Sequence, residues 1–217
     1  MSIKSIVRIA LGIIAIGLAY FIFEGIMKPQ RFETFRSRRE AEVVNRLRDI
    51  RTAQIAFRNI NGRFCGTLDS LILFLEHGQM PTVRKTGEIP DTLTEAQALR
   101  LGIIGRDTIF TNAHSVLFPD RVDDRAEHLA TLKFIPFTRR TREFSIQAGM
   151  IERSNVFVPV VEVSAHITEY MLNEEGEVIP EFRQFIRNAI KRAEDIDRFP
   201  GLRFGSMTDP HTEGNWE

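Results

Sequence analysis

The stretch IRTAQIAFRNINGRFCGTLDSL, residues 50–71, decides how this chain folds. Apolar side chains recur at helical spacing in its first half, and the pattern breaks at Asn61-Gly62. Glycine readily takes the left-handed conformation that ends many helices, so we predict that a helix stops at this pair. Thr67 is a typical N-cap residue for a second helix over residues 68–77, which Gly78 closes. The stretch therefore predicts two helices joined by a reversal of the backbone.

The first helix extends far upstream of residue 50. Residues 30–60 contain neither glycine nor proline. Positions spaced by four and three residues form an amphipathic stripe, which consists of Val43, Leu47, Ile50, Gln54 and Phe57. We expect this stripe to cover a sheet of the same chain, and the alternative is a coiled-coil seam with a second copy. Pro29 precedes the helix, and we expect a kink there.

A membrane segment comes before Pro29. Residues 9–23, IALGIIAIGLAYFIF, carry no charge, and extending the segment through Met27 gives a helix of roughly 28 Å, close to the hydrocarbon thickness of a bilayer. No small-residue cleavage site follows it, which favours an uncleaved signal anchor. Glu24, near the far end, is expected either to contact another membrane helix or to reach the interface beside Lys28. The lipid bilayer is therefore the first predicted partner.

The rest of the chain changes from helical to strand periodicity. Ser154-Asn155 is a predicted turn between two strands, and Pro136 and Pro159 are expected at sheet edges or bulges. Runs rich in β-branched and aromatic residues predict short antiparallel strands, at residues 107–110, 132–137, 143–152 and 155–167. Capping signals predict further helices, over residues 93–101 and 181–197.

These elements together predict an α+β fold. A transmembrane helix continues into a long amphipathic helix packed on an antiparallel β-sheet, with additional short helices and a C-terminal helix. We divide the chain into a membrane anchor (residues 1–28), an amphipathic helical extension (residues 29–62) and a globular α+β domain (residues 63–217).

This order of elements resembles that of type IV pilins and of the pseudopilins of type II secretion systems. The resemblance covers residues 9–75, and the matching residues are Pro29, Ala53, Phe57, Asn61, Gly62, Arg63, Phe64, Thr67, Leu68, Asp69 and Leu71. With the GNWE ending, the whole pattern is also similar to a group of single-span bacterial pilin-like proteins. The resemblance implies that the long helix packs on the sheet and that the globular domain lies in the periplasm, outside the bacterial inner membrane. Counted alone, the basic residues behind the span would instead place this domain in the cytoplasm.

The chain departs from the prepilin pattern at its start. A prepilin carries a glutamate at the fifth position after a cleaved glycine, but a cut after Gly12 puts Gly17 there, and a cut after Gly17 puts Ile22 there. We therefore expect a permanently anchored, unprocessed component. The predicted function is a non-catalytic, pilin-like structural part of a type IV pilus or type II secretion-like assembly, whose partners are other envelope proteins or copies of itself. The alternatives are a tethered periplasmic scaffold or binding module that does not polymerise, and an anchored enzyme, which no residue pattern supports.

The residue types that usually carry chemistry show no catalytic or metal-binding pattern. The five histidines lack ligand spacing to one another or to Cys65, so we expect isolated surface or loop histidines and a buried, inert cysteine. The zero net charge argues against nucleic-acid binding. We predict no cofactor, no metal and no small-molecule substrate. Together with Glu24, the candidate interaction residues are three arginines that form either a hydrated hairpin end or a site for phosphate or an acidic partner, namely Arg139, Arg140 and Arg142.

Overall fold

A computed structural model describes residues 3–86, 94, 97, 105–173 and 175–217. The helices are α1 (Ile3–Asn61), α2 (Leu68–His77), α3 (Ala113–Leu117), α4 (Arg125–Leu132), α5 (Ile167–Tyr170) and α6 (Arg183–Glu194), with 3₁₀ turns at Pro119–Arg121 and Pro180–Phe182. The strands are β1 (Gln79–Thr86), β2 (Gly105–Asn112), β3 (Ser145–Arg153), β4 (Val156–His166) and β5 (Gly201–Gly205). The described part of the chain is thus α+β, with a long N-terminal helix and antiparallel sheets, as the sequence predicts. Of the helix predicted over residues 93–101, the structure describes only residues 94 and 97, so this prediction lies almost wholly outside the described residues.

Helix α1 is uninterrupted for 59 residues and runs on past Pro29. Its inner part, residues 11–26, is exposed along most of its length. Burial begins at Phe32, which is only 2 % exposed. Most of the predicted stripe follows in the core, where the side chains with no exposed surface are Val43, Leu47, Ile50 and Gln54. One helix therefore passes from a fully exposed apolar segment into the centre of a folded body.

The larger sheet has the order β3-β4-β5, and β5 contacts α1. Val163 of β4 and Phe204 of β5 are fully buried in the same core as Leu47 of α1. Strands β3 and β4 form the predicted hairpin, and its turn residues Ser154 and Asn155 have φ values of 51° and 64°. Two successive left-handed residues suit the twist of a two-residue hairpin. A second, two-stranded sheet is formed by β1 and β2.

The strand predicted at residues 132–137 is wrong. Leu132 ends α4, and Phe134 makes only an isolated bridge to Glu143. Pro136 has no N–H to donate to a ladder, and Phe137 has a φ of 69°. The local apolar run therefore packs as a loop, because its backbone cannot continue an extended pairing.

The predicted C-terminal helix is shorter than residues 181–197, since α6 ends at Glu194. Asp197 has a φ of 51°, and its N–H donates to the Glu194 carbonyl at 3.1 Å. The N–H of Arg198 reaches back to the Ala193 carbonyl at 2.9 Å. This is a Schellman ending, in which a left-handed residue stops the helix. Asp197 occupies this left-handed position, where glycine is the usual residue, and so the sequence does not mark the end of the helix.

The polar tail pairs with the edge of β5. The N–H of Gly205 donates to the Glu213 carbonyl at 2.9 Å, and the N–H of Asn215 donates to the Arg203 carbonyl at 3.0 Å. The Asn215 side chain accepts from the Arg203 N–H at 3.1 Å and donates to the Gly201 carbonyl at 2.8 Å. The tail therefore covers what would otherwise be an open strand edge.

The backbone reverses at Gly62, directly after α1. Gly62 has a φ of 70°, and its N–H donates to the Arg58 carbonyl at 2.8 Å. The Asn61 side chain donates to the Phe57 carbonyl at 3.0 Å, so it occupies one of the carbonyls left open at a helix end. The left-handed conformation predicted for Gly62 is therefore present, and it turns the chain back along α1.

Gln54 holds the returning segment against α1. Its fully buried amide donates from Nε2 to the Cys65 carbonyl and accepts at Oε1 from the Cys65 N–H, each at 2.9 Å. Cys65 is itself buried, and its Sγ lies 3.3 Å from the Thr67 carbonyl. A single side chain thus satisfies both backbone polar groups of a buried residue, which would otherwise be costly to desolvate.

We expect Gly62→Val to lower the free energy of unfolding by about 1–2 kcal/mol, because a β-branched residue is strained in the left-handed region. No atom of the described residues lies within 4 Å of the added Cβ, so the strain of the backbone accounts for the expected cost. Gly66→Val is the matched control, since Gly66 also has open space but no left-handed backbone. Denaturation of the detergent-solubilised chain, followed by circular dichroism, measures both variants. Equal stability of the two would contradict the role given to Gly62.

We expect Gln54→Met to lower the free energy of unfolding by about 2–4 kcal/mol, because the volume is kept while both polar groups of Cys65 lose their partner. The same exchange at the exposed Gln184 of α6 should change stability by less than about 0.5 kcal/mol. The same denaturation experiment compares the two. A Gln54→Met variant as stable as the unmodified chain would show that the amide does not hold the turn.

Candidate functional site

The exposed inner part of α1 is the candidate functional site. Leu11, Ile16 and Phe21 are 60 %, 73 % and 74 % exposed, and their apolar neighbours are similarly open. Within the described residues, this is the one helix that is long and apolar enough to cross a membrane. An apolar surface of this extent on a folded protein requires a bilayer or a protein partner. The segment therefore suits a single-pass membrane anchor.

Glu24, near the end of the apolar run, pairs within its own chain. Its Oε1 lies 2.8 Å from Nζ of Lys28, one helical turn further on. An ion pair of this kind leaves neither charge alone at the boundary of the apolar segment. From the sequence, Glu24 is expected either to contact another membrane helix or to lie at the interface beside Lys28. The geometry favours the position beside Lys28.

An aromatic cluster fastens the body to α1 directly behind the anchor. The Phe32 ring stacks on Phe185 of α6 at 5.2 Å and meets Phe182 edge-on at 5.4 Å. Phe35, one turn further along α1, also packs on Phe182 at 5.4 Å. Phe32 lies five residues behind Met27, roughly 7.5 Å along the helix axis. The folded body is therefore attached at the membrane end of α1.

The predicted arginine cluster lies elsewhere. An exposed loop between α4 and β3 carries the three side chains, Arg139, Arg140 and Arg142. The first two have φ values of 51° and 61° and so form a tight turn. Nearby, Phe137 packs against the guanidinium of Arg39 at 4.6 Å, and Arg39 lies roughly 22 Å along α1 from Glu24. The structure therefore does not bring Glu24 and the arginine turn together into one site.

Two of the histidines are not isolated surface residues, and that prediction is wrong for them. His114 of α3 is fully buried, and His128 of α4 is 2 % exposed. Nε2 of His114 lies 2.9 Å from Nδ1 of His128, whose Nε2 lies 3.3 Å from Oδ2 of Asp49 on α1. Phe118 packs against both rings. Sequence spacing missed the pair because two different helices bring the rings together.

The hydrogen-bond partners of the two histidines determine which of their ring nitrogens carry a proton. His128 donates to the Asp49 carboxylate and accepts from His114, and Nδ1 of His114 is buried with no hydrogen-bond partner among the described residues. Burial, together with the nearby His128 and Arg125, lowers the pKa of His114. Among the described residues, no group of three histidine, cysteine or acidic side chains is arranged to hold a metal. The cluster therefore fastens α1, α3 and α4 to one another.

An open groove of about 710 Å³ lies between α1, the end of α6, β5 and the tail. Its basic side chains are Arg36, Arg192, Arg198 and Arg203. Arg36 pairs with Glu40 at 2.7 Å, and Arg203 pairs with Glu162 at 3.5 Å. In the part of the chain that the structure describes, the other two arginines form no ion pair. The groove is the feature that a binding role would use.

We expect the free energy of unfolding to fall as the pH drops below about 6.5. The unfolded chain protonates His114 near its ordinary pKa of 6.5, whereas the lowered pKa delays protonation in the folded protein. The unfolded state then binds more protons, and stability decreases by at most about 1.4 kcal/mol per pH unit. His114→Gln retains an amide donor toward His128 but cannot titrate. Urea unfolding at about pH 6.5 and 5.5 should therefore show a flatter pH dependence for this variant.

His77→Gln is the control, because it makes the same exchange at a histidine whose side chain is 72 % exposed. The other titrating and charged groups around His114 are retained in both variants, namely His128, Asp124, Arg121, Arg125 and Asp49. The same pH dependence in His114→Gln and the unmodified chain would contradict the assignment to His114.

No protein family, curated protein or solved structure matches this chain. The resemblance of residues 9–75 to pilins therefore remains a hypothesis, and the function is inferred from the geometry and charges of the chain itself.

Proposed function

We propose that this chain is a non-catalytic, pilin-like structural component of a bacterial envelope assembly, anchored in the inner membrane with its folded body in the periplasm. The observation that carries the proposal is the division of α1. One uninterrupted helix of 59 residues is apolar and exposed in its inner part and is the buried spine of an α+β body in its outer part. That division suits a subunit that presents its membrane helix to neighbours while its body folds independently of them.

The packing of the outer part of α1 supports the pilin-like arrangement. Leu47 and Ile50 are fully buried with the β3-β4-β5 sheet, so the apolar stripe is used within the chain. A coiled-coil seam made of these residues would need them exposed. Contacts with copies or partners would therefore involve the anchor and the outer surface of the body.

The pairing of Glu24 supports a permanent, unprocessed anchor. In the prepilin pattern an acidic residue inside the apolar segment stays available to a neighbouring subunit. Here Glu24 lies near the far end of the segment and is already paired with Lys28 at 2.8 Å. The related assemblies, a type IV pilus or a type II secretion-like system, would accordingly contain this chain as an anchored component.

A second candidate function is a tethered periplasmic scaffold or binding module that does not polymerise. The arginine-lined groove of about 710 Å³ favours it, because Arg192 and Arg198 provide positive charge that is not paired within the described residues. The two functions differ in whether the membrane helix packs against copies of itself.

Disulfide crosslinking of the anchor in native membranes tests the assembly, in a Cys65→Ser background. One helix face is sampled by Ile13→Cys, Ile16→Cys and Tyr20→Cys, and a second face by Ile14→Cys, Leu18→Cys and Phe21→Cys. A single cysteine can join only two chains, so we expect disulfide-linked dimers, and from one face only, since a packed helix presents a defined side. The face that does not crosslink is the control for disulfides that form by random collision.

Crosslinks from neither face, with a different protein captured instead, would favour the scaffold. Mass spectrometry of the same preparations should find an N-terminus that is intact apart from removal of Met1. Cleavage after Gly12 or Gly17 would contradict the unprocessed anchor. A Ser154→Cys variant, exposed at the β3–β4 turn, should react with a membrane-impermeant thiol reagent once the outer membrane is opened. Protection until the cells are lysed would overturn the periplasmic assignment.

A further inference from the structure

A pocket lies at the junction between the anchor and the body. It has a volume of about 520 Å³ and is formed by the end of the apolar segment of α1, the 3₁₀ turn at Pro180–Phe182 and the first turn of α6. The residues that line it are Glu24, Lys28, Arg31, Glu181, Phe182, Gln184 and Phe185. Neither the arginine turn nor the histidine cluster contributes to it.

The position of this junction pocket relative to the bilayer follows from where the membrane anchor ends. Lys28 and Arg31 lie roughly 1.5 and 6 Å beyond Met27 along the helix axis. The headgroup layer on each side of a bilayer is about 5–7 Å thick, so both side chains begin inside it when the apolar segment spans the hydrocarbon. The placement rests on the membrane anchoring in the proposed function. It puts the pocket at the level of the phosphate groups.

The charges in the pocket have both signs. Glu24 and Lys28 pair with each other at 2.8 Å. Among the described residues, neither Arg31 nor Glu181 forms an ion pair or a side-chain hydrogen bond. The pocket therefore offers a guanidinium and a carboxylate that remain available to a ligand carrying the opposite charges.

The apolar wall of the pocket is rigid. Phe182 and Phe185 form it, and both rings are held by Phe32 at 5.4 and 5.2 Å. A molecule with a zwitterionic head and an apolar continuation matches this combination of charges and apolar surface.

We propose that the junction pocket binds the headgroup of a phosphatidylethanolamine lipid. The guanidinium of Arg31 binds the phosphate, since arginine presents paired donors to phosphate oxygens. The carboxylate of Glu181 accepts hydrogen bonds from the ammonium. A phosphatidylglycerol headgroup brings no cation to Glu181, and a choline headgroup brings a cation that has no N–H to donate. The pocket therefore discriminates among lipids of similar size.

Native mass spectrometry of the full chain, purified in mild detergent and supplied with defined lipids, tests this assignment. We expect retention of dioleoyl-phosphatidylethanolamine over the phosphatidylglycerol and phosphatidylcholine analogues. Arg31→Gln and Glu181→Gln should each weaken that retention about tenfold, the size of one lost charge-assisted hydrogen bond. The matched controls are Arg48→Gln and Glu177→Gln, which change exposed charges outside the pocket and should retain lipid like the unmodified chain.

Several outcomes would overturn the assignment. Equal retention of the three lipids would do so, as would retention unchanged in both pocket variants. Displacement of the lipid by an equal concentration of free phosphoethanolamine would identify a soluble ligand in place of a lipid. Carbonate extraction tests the membrane anchor separately from the lipid site. A chain released from membranes by carbonate would overturn the anchor and the lipid site together, whereas a chain that stays membrane-bound without lipid selectivity would overturn the lipid site alone.

Discussion

The fold depends on the double hydrogen bond between the Gln54 amide and the backbone of Cys65. The backbone of the long helix α1 continues into the globular chain at the outer end of the helix, where Gly62 reverses its direction. The reversal at Gly62 sets the direction in which the chain returns, but it does not set the level along α1 at which the returning chain packs. Because Gln54 accepts from and donates to the same buried residue at 2.9 Å, the returning chain is placed at one level of α1. Helix α2 and everything after it start from that level.

The same principle recurs along α1, which acts as a spine with polar attachment points. Nη1 of Arg39 donates to the carbonyls of Tyr170 and Leu172 at 2.7 Å each, at the end of α5. Arg46 donates to the carbonyl of Thr131 in α4. Asp49 holds α4 through His128 and, through it, α3. Apolar burial supplies most of the cohesion, but it is non-directional, so these directed bonds set the register of each layer on the helix.

The sequence predicted the features that are encoded locally and missed those that long-range contacts create. Apolar periodicity predicted α1 and its buried stripe, and capping and turn signals predicted α2, the Gly62 reversal and the Ser154-Asn155 hairpin. The paired histidines, the docked tail and the Asp197 helix ending depend on partners that lie far apart in sequence or on a residue atypical for its role. At the candidate site, composition located the apolar segment and Glu24. The aromatic cluster behind it required the packing of α6 on α1, which no local pattern reveals.

The attachment of α6 at Phe32 also has a mechanical consequence. From Phe32 to Asn61 the helix is bound to the body, so this part moves as one rigid piece. Pro29 lacks the N–H for one backbone hydrogen bond between that piece and the anchor, so the helix bends more easily there than in a fully hydrogen-bonded turn. Asn61 lies roughly 48 Å beyond Pro29, so a rotation of about 10° there moves the outer end by about 8 Å. The body is thus a lever arm, and small changes in the tilt of the anchor, such as those that follow bilayer thickness, are amplified at its far surface.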